Sequence, residues 1–189
     1  MPQRRDDVLA FLAARRSVPA RLLTAPAPEG EALDRLLAIA LRVPDHGKME
    51  PWRLIVLRPA ALAALRAPLE AALRAAGADE ARLAKGLSAL DSPLVVAVVF
   101  SPGAADRIPL REQLMSAANV AFALSLAAAA DGWGVAWLTG PMAEPAFARA
   151  HLGLSPTEEI VGLIHVGTYD GPPVADRPRP NPAEKITFA

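Results

Sequence analysis

Leu94–Phe100 reads Leu-Val-Val-Ala-Val-Val-Phe, an apolar run with no polar residue inside it. Valine and phenylalanine favour strands, and the run has the length of a strand. Because successive side chains of a strand point to opposite faces of the sheet, this run predicts a strand whose two faces are both covered. The segment therefore predicts a sheet that lies between two layers of helices.

The sequence on either side of this run supplies the other elements of such a sandwich. Further strands are predicted at residues 53–57, 134–138 and 160–166. Helices are predicted at residues 5–16, 33–43, 60–76, 79–90, 109–131 and 144–152. Strands and helices do not alternate strictly, as they would in a doubly wound parallel sheet. The predicted fold class is therefore α+β, a three-layer sandwich with a mixed sheet between helix layers.

The C-terminal segment differs from the rest of the chain. Residues 171–182 are rich in proline and show no periodicity, and residues 185–188 resemble a short strand. Because proline has no backbone N–H to donate, we expect residues 171–189 to form an extended arm that lies across another surface, its own or a partner's. Without a repeat or a linker, residues 1–189 are predicted to form a single domain.

Composition excludes several classes of protein. Apolar residues make up 52% of the chain, and alanine accounts for 41 of the 189 residues, which suits close packing between helices. The 20 cationic and 20 acidic side chains balance, so no bulk positive charge would attract nucleic acid or an anionic membrane. The absence of cysteine fits a reducing compartment, and the N-terminus lacks a secretion signal, so we expect a cytoplasmic protein.

One stretch has the composition of a membrane span. Residues 114–130 carry no charge, but they are just short of the roughly 18 to 20 residues that a span needs, and many of them are alanine. We expect a buried helix here and no membrane partner.

Polar side chains concentrate in three short stretches. These are Arg15-Arg16-Ser17, the loop at residues 42–52, and Trp137-Leu138-Thr139. Arginine makes up 17 of the 20 cations, and its planar fork matches phosphate and carboxylate groups. Each of the first two stretches also has a purely structural interpretation. Arginines at the C-terminal end of a helix complement the helix dipole, and the polar residues at 42–52 are typical of a solvated loop.

Other kinds of site are not indicated. His46, His151 and His165 have no metal-ligand spacing, and His165 lies within an apolar strand, so we predict no metal and a core role for His165. Residues 132–134 lead into a strand instead of a helix, which excludes a dinucleotide-binding fingerprint. No nucleophile elbow is present, and no catalytic side chain is predicted.

Taken together, the motifs resemble the nitroreductase family of flavin enzymes, in its short bacterial branch. The resemblance covers RRSVPARL (15–22), RVPDHGKMEPWRLIVL (42–57), the long segment at 109–140, and IVGLIHVGT (160–168). It implies a mainly antiparallel sheet and a homodimer with an exchanged C-terminal arm. It also implies FMN at the dimer interface, with NAD(P)H and a small aromatic acceptor as the reaction partners.

The resemblance also assigns the residues that bind FMN. Arg15, Arg16 and Ser17 would hold the phosphate and ribityl chain, and Arg42 and His46 would come from the partner subunit. Trp137, Leu138 and Thr139 would line the flavin. Many family members carry asparagine and glutamine where this chain has Lys48 and Glu50. Lys48 would stabilise negative charge at the pyrimidine edge. Separately, and from its position between core strands alone, the segment at residues 79–90 is a candidate lid over that pocket.

The function expected from this resemblance is an FMN-dependent NAD(P)H oxidoreductase. It would pass electrons to nitroaromatic or quinone-like acceptors by a ping-pong mechanism. Two alternatives stay open. One is an FMN-binding protein with other flavin chemistry, such as reductive dehalogenation or flavin breakdown. The other is a non-enzymatic dimer that binds an anionic ligand through Arg15, Arg16 and Arg42.

Overall fold

The computed structural model describes residues 3–104 and 107–188. The chain divides into two compact units, residues 17–169 and residues 1–16 with 170–189, and the predicted single domain stays a prediction. The helices are α1 (Asp6–Ala14), α2 (Gly30–Ala40), α3 (Pro59–Ala64), α4 (Arg66–Ala75), α5 (Glu80–Leu87), α6 (Leu110–Ala130) and α7 (Pro145–Leu152). The strands are β1 (Trp52–Leu57), β2 (Leu94–Phe100), β3 (Gly134–Leu138) and β4 (Glu159–Gly167).

The four strands form one sheet in the order β1-β2-β4-β3. Every pairing in the described sheet is antiparallel, with Val96 opposite both Val56 and Ile164 in the centre. The antiparallel expectation is confirmed. A mixed sheet was also expected, but none of the three described pairings is parallel. The strands run antiparallel although helices, and not tight hairpins, connect β1 to β2 and β2 to β3.

Both faces of the sheet are covered, as the apolar run of β2 predicted. Val95, Ala97 and Val99 pack on one face against side chains of α3, α4 and α7. Leu94, Val96 and Val98 pack on the other face against α2 and α6. All seven residues of β2 are buried. The layers of the unit formed by residues 17–169 are therefore helix, sheet and helix.

Among the described residues, α6 is the helix that length and composition alone would allow to cross a membrane. One side of it is buried against the sheet and α2 through small and medium side chains, among them Ala117, Val120, Ala121 and Leu124. Alanine at such positions lets a helix approach its neighbours closely. The expectation of a core helix is confirmed for this face.

Two predicted elements were wrong. The helix expected at residues 60–76 is interrupted at Leu65, between α3 and α4. Pro68 has no N–H to donate to the carbonyl of Ala64, so a continuous helix would lose that hydrogen bond. Residues 185–188 are not a strand. A single turn of 3-10 helix at Pro182–Glu184 precedes them, and no described strand pairs with them.

An ion pair joins β1 to the segment before β4. The guanidinium of Arg53 donates to both carboxylate oxygens of Glu158, at 2.7 and 2.9 Å, and to the carbonyl of Gly153 at 3.0 Å. Glu158 is only 8% exposed. Its hydrogen bonds to Arg53 lower the pKa of the Glu158 carboxyl to about 2, with a smaller contribution from the Ser155 amide.

Candidate functional site

A cavity of about 770 Å³ lies beside the end of β3. Its walls come from the 3-10 turn at Ala20–Leu22, from α4 and α5 with their connecting turn, and from residues 138–141. The described lining residues are Pro19, Ala20, Arg21, Leu73, Ala76, Ala78, Arg82, Lys85, Gly86, Ser88, Ala89, Leu138, Thr139, Gly140 and Pro141. The walls are thus mostly apolar, and a few cationic side chains are set among them.

The shape of one wall depends on Gly86 of α5. A Cβ atom at this position would lie 2.7 Å from Cδ1 of Leu73 and 3.5 Å from Cγ of Pro141. The absence of a side chain therefore lets α5 approach α4 and the turn after β3 closely. The segment at residues 79–90, predicted as a lid, thus supplies a wall of the cavity through α5. Whether this wall moves stays a prediction.

The segment after Ser17 is anchored to β3. The backbone N–H of Val18 donates to the carbonyl of Val135 at 2.9 Å, and the Val18 side chain is buried. This bond places Pro19, Ala20 and Arg21 beside the end of β3, where they line the cavity. Ser17 itself is exposed and directly precedes this anchor.

The structure separates the three residues predicted at the end of β3. Leu138 and Thr139 line the cavity, whereas Trp137 is not among its lining residues. The Trp137 indole lies over Gly162 of β4, where a Cβ atom would be 2.2 Å from Trp137 Nε1. Because neighbouring side chains of a strand point to opposite faces, Trp137 and Leu138 serve different sides of the sheet.

Arg42 and His46 do not reach this cavity within the chain. Both are exposed, and neither is among the lining residues. Their loop is held against α6, since Ser116 Oγ donates to the carbonyl of Pro44 at 2.6 Å and His46 Nδ1 lies 2.7 Å from Glu112 Oε2. The two residues are therefore presented on the α6 side of the unit.

The same loop carries unusual backbone geometry. Lys48 and Glu50 adopt positive φ angles of 52° and 46°, and Gly47 between His46 and Lys48 has a φ of 71°. The left-handed region is unfavourable for side chains such as those of Lys48 and Glu50, and such strain clusters at functional sites. The Glu50 N–H donates to Asp45 Oδ2 at 2.8 Å, which closes the loop. Lys48 is exposed and is not among the residues that line the cavity.

Arg15 and Arg16 belong to the unit formed by residues 1–16 and 170–189. Arg16 Nε donates to the carbonyl of Ala175 at 3.1 Å and lies 3.6 Å from a carboxylate oxygen of Asp176. Asp176 also accepts from Arg179 at 2.7 Å. The C-terminal arm therefore positions the guanidinium of Arg16, and both arginines are half-buried.

Sequence reasoning missed three cations of the cavity wall, Arg21, Arg82 and Lys85. They lie on elements that are distant in the sequence, and each looks like an ordinary exposed residue of its own turn or helix. The weak local signal was the position of Arg82 and Lys85, three residues apart on one helix face.

His165 is buried in β4 as expected, but only one of its two ring nitrogens has a hydrogen-bond partner among the described residues. Its Nδ1 is hydrogen-bonded to Ser92 Oγ at 2.8 Å, and its Nε2 has no hydrogen-bond partner among the described residues. Burial disfavours the charged imidazolium and lowers the pKa of His165 to about 4. His165 is therefore neutral near pH 7.

Comparisons with known proteins agree with the fold. The profile described as "Nitroreductase family" matches residues 12–168. Over 183 residues the chain is 33% identical to the Escherichia coli (strain K12) protein named "Putative NAD(P)H nitroreductase YdjA", covering 96% of this chain and 99% of that protein.

Solved structures of the same fold cover nearly the whole chain. A nitroreductase-like family protein from Bacillus cereus has a TM-score of 0.76 at 24% identity, covering 100% of this chain and 99% of that one. A nitroreductase with bound FMN from Bacteroides fragilis NCTC 9343 has a TM-score of 0.71 at 20% identity, covering 97% and 98%. With the profile matching most of its length, the chain belongs to the nitroreductase family of oxidoreductases.

Proposed function

We propose that this protein is an FMN-dependent NAD(P)H oxidoreductase that reduces nitroaromatic or quinone-like acceptors. Membership in the nitroreductase family supports the reaction class. The observation that carries the proposal is the cavity of about 770 Å³ beside Leu138 and Thr139, two of the residues expected to line a flavin. Its volume lies within the range of about 300–1,000 Å³ that is common for cofactor and ligand pockets.

The chemistry of the site fits an anionic planar cofactor. The apolar wall formed by Leu73, Leu138 and Pro141 suits a flat ring system, and arginine side chains suit a phosphate. Arg15 and Arg16 would hold the phosphate, and Ser17 would hydrogen-bond the ribityl chain. FMN, when bound, supplies the two-electron redox chemistry.

The protein's own residues orient the cofactor and tune its charge. Leu138 and Thr139 would position the ring from the cavity side, and Trp137 would support the same edge of the sheet from the opposite side. A cation near the pyrimidine edge stabilises the negative charge that gathers there on reduction. Lys48 is the residue proposed for this role from the sequence, and Lys85, which lines the cavity, is a second candidate.

The proposal includes a homodimer that completes the site. On α6, Leu114, Met115 and Phe122 share one face and are 38%, 52% and 48% exposed. An apolar helix face of this kind marks an interaction surface. A second copy packed there would bring Arg42 and His46, which lie on the α6 side, to its partner's flavin. Ile186 and Phe188 are also exposed and support an exchanged arm.

The remaining parts of the proposal concern kinetics and location. NAD(P)H and the acceptor would use the same open face of the cavity in turn, which predicts ping-pong kinetics. The cysteine-free chain is proposed to work in the reducing cytoplasm.

Reconstitution with FMN tests the proposal. We expect the protein to bind one FMN per subunit, to turn yellow, and to be bleached by NADPH or NADH without oxygen. Arg16→Ala should weaken FMN binding, with Arg58→Ala as the control at an exposed arginine outside the cavity. A colourless protein that does not bind added FMN would refute the proposal of a flavoenzyme and leave the alternative of a dimer that binds an anionic ligand. A yellow protein that neither nicotinamide bleaches would leave the alternative flavin chemistries.

A further inference from the structure

The cations of the cavity wall lack acidic partners. Arg21, Arg82 and Lys85 line the cavity, and no aspartate or glutamate is among its described lining residues. None of the three side chains forms an ion pair or a hydrogen bond with another described residue. The wall therefore holds uncompensated positive charge next to an apolar surface.

The two acidic residues just before Arg82 in the sequence accept hydrogen bonds from groups other than the side chains of Arg82 and Lys85. Asp79 caps α5, its carboxylate accepting from the Arg82 N–H at 2.8 Å. Glu80 accepts from the guanidinium of Arg74 at 3.0 Å. The side chains of Arg82 and Lys85, three residues apart on the same helix face, are thus like charges without an ion-pair partner among the described residues. Such an arrangement destabilises the helix unless an anion binds beside it.

We propose that this wall selects an acceptor that carries an anionic group on a planar aromatic ring, with Arg82 and Arg21 binding a carboxylate. The inference rests on the proposed function. The acceptor's ring takes the apolar surface of the cavity that the flavin leaves free, beside Ala76, Ala78 and Ala89. The guanidinium groups take the carboxylate as charge-assisted hydrogen-bond donors. The preferred substrates are therefore aromatic acids, and neutral aromatic acceptors are poorer ones.

The reaction expected with 4-nitrobenzoate is the two-electron reduction of the nitro group to a nitroso group. NAD(P)H loses two electrons and one proton and becomes NAD(P)⁺. Solvent supplies the second proton, one N–O bond breaks, and the oxygen leaves as water. The carboxylate takes no part in this step, so Arg82 affects binding of the acceptor and not the redox chemistry.

The test compares 4-nitrobenzoate with the neutral 4-nitrobenzyl alcohol on the FMN-loaded protein. We expect kcat/KM to favour 4-nitrobenzoate by about tenfold or more, as charge-assisted hydrogen bonds allow. Arg82→Gln should bring this ratio close to one, mainly by raising KM for 4-nitrobenzoate. Arg21→Gln should act in the same direction. Arg58→Gln is the matched control, because Arg58 lines a separate cavity of about 220 Å³ that also contains Glu29.

Calorimetry with oxidised protein and no NAD(P)H provides a readout that is independent of turnover. The Kd of 4-nitrobenzoate should rise about tenfold in Arg82→Gln, and binding should weaken with salt. Equal Kd values for the acid and the alcohol would overturn the inference.

Two further outcomes would also overturn it. In the first, Arg82→Gln raises only the KM for NADPH and leaves the KM for NADH and for 4-nitrobenzoate unchanged. The cations would then bind the 2′-phosphate that distinguishes NADPH from NADH. The other is a loss of FMN affinity in Arg82→Gln. If the wild-type protein binds FMN but shows no preference between the acceptors, only this inference fails. If it binds no FMN, the proposed function fails.

Discussion

Replacing His165 by glutamine should remove a pH-dependent part of the stability of the fold. His165 is fully buried, and its pKa is lowered to about 4 from the 6.5 of a free histidine. Between these values the unfolded chain binds a proton that the folded protein does not bind. The stabilisation is therefore fully present above pH 6.5 and is lost as the pH falls towards 4.

The size of the effect follows from these two pKa values. At 1.36 kcal/mol per unit of pKa, the free energy of unfolding should fall by roughly 2.5 kcal/mol between pH 7 and pH 4.5 because of His165 alone. Glutamine keeps a polar group beside Ser92 but does not titrate. The His165→Gln protein should therefore lose roughly 2.5 kcal/mol less than the wild type over this range.

Urea unfolding at a fixed protein concentration, followed by tryptophan fluorescence at pH 7, 6, 5 and 4.5, measures this difference. Glu158 titrates below this window in the folded protein, so its contribution falls mainly at lower pH. His151→Gln, at an exposed histidine, is the control and should behave as the wild type. Parallel pH dependences of the wild type and His165→Gln would refute the reasoning.

Three further predictions concern the ion pair, the tryptophan and the dimer. The wild type should lose about 1–3 kcal/mol of stability as the pH falls from 4.5 towards 2, because Glu158 becomes protonated and its ion pair with Arg53 is lost. Glu158→Gln should lack this contribution. Thermal unfolding of both proteins across that pH range measures the difference. Gly162→Ala should displace the Trp137 indole, destabilise the fold by about 1–3 kcal/mol and weaken FMN binding. Gly30→Ala, outside the cavity, is the control: its φ of 53° strains the backbone but its Cβ meets open space, so FMN affinity should stay intact. Equal FMN titrations of both variants would contradict this. Phe122→Glu should yield a monomer by light scattering, and a dimer would show that this face of α6 is not the interface.

Much of the fold was predictable because its signals are local. The apolar run of β2 implied two covered faces, and the structure confirms both helix layers. The break at Leu65 also had a local signal, since Pro68 removes a backbone donor. The strand expected at residues 185–188 failed for a different reason, because strand formation depends on a partner strand as well as on residue type.

The candidate site was less predictable than the fold. The motif at residues 137–139 indicated a site at the end of a strand, and alternation along the strand could have separated Trp137 from Leu138. Lys48 stood out in the sequence, but it is absent from the cavity wall, whereas Lys85 is part of it. Helix periodicity predicts which face of a helix is buried, but not which exposed residues meet across a cavity.

The sequence by itself determined the class of the fold, the covered central strand, the core helix and the family, because periodicity and motifs act between residues that are close in the chain. Only the tertiary structure decided that Arg21 and Arg82 share a cavity with Thr139. It also decided that Trp137 packs over Gly162. The shared cavity and the packing of Trp137 both depend on how segments distant in the sequence pack together and on the close approach that glycine permits. Local sequence patterns do not predict such contacts.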